Sequence, residues 1–123
     1  MIEFRAYGQP VPQGSMKVIN GHVLHSQGSA LAVWRSLVAL AAKQAGAQIS
    51  DKPMAITMVF LMPRGKTVKR PYPTVPPDLD KLIRAVLDAL TGITWLDDAQ
   101  VVSIHAHQIY GSSAGVEVRI EEK

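Results

Sequence analysis

The segment that most constrains the fold is an apolar run from Met54 to Met62, interrupted only by Thr57. The run is rich in residues that favour strands, and Pro53 and Pro63 bound it. A strand without a polar face is typical of the interior of a sheet, with cover on both faces. At nine residues the run is far shorter than the roughly 20 apolar residues that span a bilayer, so we expect no membrane span.

The spacing of apolar residues predicts the elements around this strand. Alternation favours strands, steps of three and four residues favour helices, and Asn20-Gly21 is typical of a tight hairpin. The predictions are a strand over 2–7, a hairpin of 17–19 with 22–24, helices over 29–47 and 79–90, and two antiparallel terminal strands around 102–107 and 116–120. This order predicts a single domain, residues 1–123, of the α/β (α+β) class: a mixed β-sheet of about four to six strands backed by two helices.

The distribution of charge favours a polyanionic partner. Thirteen Lys and Arg against ten Asp and Glu give a net charge of +3, and the absence of cysteine excludes thiolate metal sites and cysteine nucleophiles. Two stretches contain basic residues and no acid, one between Phe4 and Ser50 and the other in residues 63–77. The second stretch holds five of the eight prolines, so we expect an exposed, functional loop there.

Half of the carboxylates, five of ten, lie between Asp78 and Asp98. Asp78 and Asp80 flank the predicted start of the second helix, and Asp97 and Asp98 precede the next strand. A helix cap or a turn would explain each pair alone. Crowded carboxylates repel each other unless a cation neutralises them. The two pairs beside a basic loop therefore predict a Mg²⁺ site for phosphoryl transfer.

Two cations lie on the same predicted helix. Lys81 follows Asp80 directly, and Arg84 lies four residues after Asp80, on the helix face that also carries Asp88. A cation next to the phosphorus stabilises the charge of the transition state. Lys81 and Arg84 are therefore candidate catalytic residues. The alternative for this face is a series of exposed ion pairs between residues four apart.

These motifs resemble those of the RusA-type Holliday junction resolvases, a family of small endodeoxyribonucleases from phages and bacteria. The family pattern is Asp-x-Asp-Asn, a basic residue, Asp-Ala-Leu and, after a short gap, Asp-Asp-Ala-Gln-Val. In these places the chain has Asp78-Leu79-Asp80-Lys81, Arg84, Asp88-Ala89-Leu90 and Asp97-Asp98-Ala99-Gln100-Val101. It differs at Lys81, where the family has Asn, and at Arg84, where the family has Lys. The segment from Pro10 to Ser15 is also similar to phage members.

The resemblance implies a RusA-like fold and a function in DNA recombination and repair. It implies that Asp78, Asp80 and Asp98 bind Mg²⁺, with Mn²⁺ as the alternative ion and Asp97 in a secondary role. Basic side chains are expected to contact DNA phosphates, which position the DNA without reading its sequence. These residues are Lys17, Arg64, Lys66, Lys69 and Arg70.

The implied activity is the resolution of four-way (Holliday) DNA junctions by paired symmetric nicks. Because a small chain carries one site and paired nicks need two, we expect a two-fold homodimer. The expected location is the cytoplasm of a bacterium or of a phage-infected cell. Two alternatives stay open: a non-catalytic DNA-binding module of the same fold, and a broader branched-DNA nuclease that cuts flaps or forks.

Overall fold

A computed structural model describes residues 1–14, 16–19, 22–25 and 28–123, of which 16–19 and 22–25 are described by backbone alone. The elements are β1 (Ile2–Tyr7), β2 (Met16–Ile19), β3 (His22–His25), α1 (Gly28–Gln44), β4 (Met54–Met62), α2 (Leu79–Leu90), a 3-10 helix (Asp98–Gln100), β5 (Val101–Tyr110) and β6 (Gly115–Glu122). These bounds confirm the predicted α+β class with two helices. β2 and β3 pair antiparallel, whereas Asn20, Gly21 and the side chain of Lys17 lie outside the described residues.

The main sheet has four strands in the order β1-β6-β4-β5. β4 lies inside the sheet, as its apolar sequence predicts, with β5 parallel to it and β6 antiparallel. The two terminal strands, β5 and β6, run antiparallel as predicted, but they do not pair with each other, because β4 lies between them. α2 is the crossover that makes β5 parallel to β4. The turn after β5 lies at the end of β4, where the Gly111 N–H donates to the Met62 carbonyl at 3.1 Å.

Both helices cover the same face of this sheet. Side chains of β4 such as Met58 and Phe60 are fully buried there, in one cluster with Trp34 of α1 and Leu82 of α2. On the opposite face of β4, Leu61 is buried but Ala55, Thr57 and Val59 are only half-buried, so the expectation of full cover on both faces is wrong. Polar residues such as Arg119 of β6, which pairs with Thr57, stand exposed on this second face. Among the described residues, neither helix has the length and apolarity needed to cross a bilayer.

The end of α2 is anchored firmly to the sheet. Gly92 adopts a positive φ of 85°, which a glycine accommodates without strain and which turns the chain out of the helix. Trp95 then packs into the core with no exposed surface, and its indole N–H donates to Thr91 Oγ1 at 3.1 Å. The buried Trp95 thus provides an apolar anchor two residues before Asp97.

Candidate active site

Asp78 occupies the N-cap position of α2 without acting as a cap. Its backbone is extended (φ −70°, ψ 140°), but its carboxylate accepts no hydrogen bond from the N–H groups of the helix. The side chain is 61% exposed, with one carboxylate oxygen 3.7 Å from Lys81 Nζ. Asp80, in the first turn, is also exposed. A simple capping role therefore does not explain Asp78, and its carboxylate stays available for a ligand.

The loop that follows β1 packs against the first turns of α2. The Gln13 N–H donates to the Lys81 carbonyl at 3.0 Å. Gly14 has a φ of 129°, and a Cβ there would lie 3.3 Å from Arg84 Nη1 and 3.6 Å from Lys81 Cγ. Only glycine combines this φ with so close an approach. Gly14 thus lets the loop lie against both candidate cations.

Arg84 makes none of the ion pairs that its spacing allows. Among the described residues, no carboxylate of Asp80 or Asp88 lies within 4.0 Å of its guanidinium. Arg84 is exposed, whereas Asp88 is half-buried. The alternative interpretation of this helix face as a series of ion pairs is therefore not supported. Arg84 remains free to interact with an anionic ligand.

Asp97 and Asp98 differ in what their carboxylates do. Asp97 caps the 3-10 helix, where its Oδ1 accepts the Ala99 N–H at 2.8 Å. Asp98 is exposed, and its carboxylate has no hydrogen bond or ion pair within the described part of the chain. Of the two, Asp98 has the carboxylate that is free to bind a cation.

The two aspartate pairs lie at opposite ends of α2. The Pro77 carbonyl accepts a hydrogen bond from Gln108 Nε2 at 3.3 Å, and Gln108 pairs with Phe60 near the end of β4. The turn with Asp98 instead contacts the segment before β4, because Gln100 Nε2 donates to the Ser50 carbonyl at 2.9 Å. The 12 residues of α2 span about 18 Å.

The convergence of aspartates expected from the sequence is therefore not met within a single chain. No three His, Asp or Glu side chains form a group that could hold a metal ion in residues 1–14 and 28–123. The physical reason is the parallel βαβ crossover, in which the helix starts at the strand end where β4 stops and finishes at the end where β5 starts. Asp78 and Asp80 are close in sequence at one end, and Asp98 lies at the other.

The basic loop is held by an aromatic side chain that sequence reasoning missed. The guanidinium carbons of Arg64 and Arg70 lie 4.7 and 6.0 Å from the centre of the Tyr110 ring, and Arg64 Nη2 donates to the Arg70 carbonyl. These are distances at which cations interact with aromatic rings. Lys66 and Lys69 are exposed on the same loop, so the prediction of an exposed basic loop is confirmed.

A groove of about 1000 Å³ opens beside the start of α2. Its lining includes Asp78 and Lys81 together with apolar residues such as Val33 and Pro77. Grooves of this size that combine apolar walls with a few polar groups are typical of ligand sites. The groove, the exposed carboxylate of Asp78 and the neighbouring Lys81 therefore mark this end of α2 as the candidate active site.

Known proteins resemble this chain along nearly its whole length. The family model described as endodeoxyribonuclease RusA matches residues 8–121, nearly the whole chain. The chain is also 30% identical over 136 residues to the uncharacterized protein YqaN of Bacillus subtilis (strain 168), covering 98% of this chain and 96% of that protein. The mixed four-stranded sheet with two helices is consistent with the fold of this family. The chain therefore belongs to the RusA family of endodeoxyribonucleases, the Holliday junction resolvases.

Proposed function

We propose that the protein hydrolyses one phosphodiester bond in each of two opposed strands of a four-way DNA junction, in a reaction that requires Mg²⁺ or Mn²⁺. The observation that carries this proposal is the exposed carboxylate of Asp78 at the start of α2, which accepts no N–H group of the helix and lies beside Asp80, Lys81 and the groove. An aspartate that merely capped the helix would accept its N–H groups. Membership of the RusA family supports the nuclease activity. The identity of the ion, the paired cuts and the roles of the individual residues are what we propose.

We propose further that each site is completed by the second subunit of a homodimer. Asp78 and Asp80 of one chain would hold the ion together with Asp98 of its partner, because about 18 Å of helix separates the two groups within a chain. Hard divalent cations take carboxylate oxygens as ligands, so three exposed aspartate side chains suit Mg²⁺. The proposed ligands exclude Asp97, since its carboxylate caps the 3-10 helix.

The outer edge of β5 is the best candidate for the dimer contact. β5 is an edge strand of ten residues, longer than the six of β1 at the other edge. It exposes apolar side chains, with Val102 62% and Ile104 43% exposed. Edge strands that expose apolar residues readily pair with another strand.

Antiparallel pairing of β5 with its symmetry mate would also bring the required groups together. The two-fold axis would pass near the middle of β5, so the start of one β5 would lie beside the end of the other. Asp98 precedes the start of β5, and the end of β5 contacts Pro77, next to Asp78, through Gln108. The dimer would thus contain two equivalent sites, one for each cut.

In this arrangement the chain's own residues bind and orient the DNA. The divalent ion supplies activation of water and stabilisation of negative charge. Lys81 and Arg84 would lie beside the phosphate and stabilise the charge that develops on it. Lys17, Arg64, Lys66, Lys69 and Arg70 would bind the backbone away from the cut. The proposed place of action is the cytoplasm of a bacterium or of a phage-infected cell.

Cleavage of a four-way junction, a fork, a flap and a linear duplex at matched salt tests the proposal. We expect Mg²⁺-dependent nicking of the junction, loss of nicking in Asp78→Asn and Asp80→Asn, and retained gel-shift binding in both variants. Glu3→Gln is the matched control, since it also removes one exposed carboxylate charge and Glu3 lies on β1, at the edge of the sheet opposite β5. Binding without nicking by the unmodified protein would instead favour the DNA-binding module. Equal cleavage of forks, flaps and junctions would favour the broader branched-DNA nuclease.

A further inference from the structure

The side-chain amide of Gln100 joins two segments that lie about 50 residues apart in the sequence. Its Oε1 accepts the N–H groups of Leu96 at 2.8 Å and of Asp97 at 3.0 Å. Its Nε2 donates to the carbonyls of Ser50 and Lys52, each at 2.9 Å. An amide has two donor hydrogens and two acceptor lone pairs, so this side chain uses its full hydrogen-bonding capacity.

These bonds fix the backbone on both sides of Asp98. The Asp97 N–H is held by Gln100 Oε1, and the Asp97 carbonyl accepts the Gln100 N–H at 3.0 Å. The Ala99 N–H donates to the Asp97 carboxylate at 2.8 Å. Asp98 itself contributes no side-chain bond to this network, and its carboxylate is exposed. The turn is thus rigid around one free carboxylate.

We infer that Gln100 is a positioning residue that holds Asp98 ready to bind the divalent ion. This inference rests on the proposed function, in which Asp98 is a metal ligand. A ligand on an ordered turn loses less conformational entropy on binding than one on a mobile turn. Groups that orient metal ligands without touching the metal commonly change metal affinity about 10- to 100-fold when they are replaced.

The chemistry of the four bonds makes glutamine hard to replace. A glutamate has the same size but no donor for the Ser50 and Lys52 carbonyls. An asparagine is one methylene shorter and cannot reach both segments from the same backbone position. Gln100→Glu therefore removes the anchor to the segment before β4 and keeps the bulk of the side chain. It also adds a negative charge near the site, which by itself would attract Mg²⁺ more strongly.

The test is the Mg²⁺ concentration that gives half-maximal junction nicking, measured for Gln100→Glu, Gln100→Ala and the unmodified protein. We expect this concentration to rise about 10- to 100-fold in both variants, while the affinity for the junction changes less than about twofold because phosphate contacts are intact. In Gln100→Glu the required Mg²⁺ concentration would rise even though the added negative charge alone would lower it. Gln48→Glu is the matched control, because Gln48 is exposed and this substitution adds the same negative charge.

The same series separates this inference from the proposed function. If Asp98→Asn abolishes nicking while both Gln100 variants keep the normal Mg²⁺ requirement, Gln100 does not position Asp98 and only the inference fails. If Asp98→Asn nicks at the normal rate, the assignment of Asp98 as a ligand fails. If the Gln100 variants do not fold, amide hydrogen exchange in the unmodified protein tests whether Gln100 holds the turn. Protected N–H groups of Leu96 and Asp97 are expected, and exchange at the rate of free amides would overturn the inference.

Discussion

A mixture of two inactive variants should recover nicking if each site is shared between subunits. The perturbation is co-expression of Asp80→Asn on one chain with Asp98→Asn on the other, each chain carrying a different tag. About 18 Å of helix separates these groups within a chain, whereas ligand oxygens of one Mg²⁺ lie about 2.1 Å from the ion. One chain alone therefore cannot supply both groups to one ion.

The expected magnitude follows from two-fold symmetry. In a heterodimer of the two variants, one site combines both substitutions, and the other combines an intact Asp80 with an intact Asp98 from the partner. Heterodimers purified through both tags should nick a junction at about half the unmodified rate per dimer, since one of two sites is intact. Paired cuts should stay absent, because a single intact site cannot cut both strands.

The assay is strand-specific nicking of an end-labelled synthetic junction, read on a denaturing gel, with product formation on a native gel as the measure of paired cutting. The control heterodimer combines Asp78→Asn with Asp80→Asn, which leaves both sites defective because both residues belong to the same half-site. No nicking by the Asp80→Asn and Asp98→Asn heterodimer would refute the shared site. Equal rescue in the control heterodimer would refute the assignment of these aspartates.

Three further predictions concern single positions. Asp97→Asn should keep nicking above about half the normal rate, because asparagine caps a helix nearly as well as aspartate; loss comparable to that of Asp98→Asn in the same nicking assay would make Asp97 a ligand. Ile104→Lys should convert the proposed dimer to a monomer, because it places a charge on the edge of β5. Sedimentation velocity measures this change, and an unchanged sedimentation coefficient would mean that the interface lies elsewhere. Tyr110→Ala should weaken junction binding and lower the slope of log affinity against log salt by about one to two, because Arg64 and Arg70 lose the ring that supports them. Tyr110→Phe keeps the ring and should have neither effect. Equal effects of both changes would contradict the support of the two arginines by Tyr110.

Local sequence patterns predicted the elements of this fold well, because hydrophobic periodicity is a property of each segment. The alternation in residues 2–7 and the apolar stripe of 79–90 both correspond to observed elements. The partners of β6 were not predictable in the same way. Its pairing with β1 and β4 joins segments from the two ends and the middle of the chain, and nothing in the spacing of its residues specifies those neighbours.

The candidate site was predicted in its residues more than in its geometry. The identity and spacing of Asp78, Asp80 and Asp98 carried the family resemblance. Their separation within one chain was not predicted, because it follows from the parallel pairing of β5 with β4, which the spacing of the residues does not specify. The contacts of Gln100 with Ser50 and of Tyr110 with Arg64 could not be predicted, since each depends on how distant segments meet.

The opposite positions of the aspartates have a consequence for the cell. On the proposed arrangement, every newly synthesised polypeptide carries halves of two different cutting centres and no complete one. A solitary molecule would then be harmless to the chromosome, and at low abundance the cutting capacity would grow with the square of the number of molecules. Assembly itself would serve as the safeguard against stray breaks.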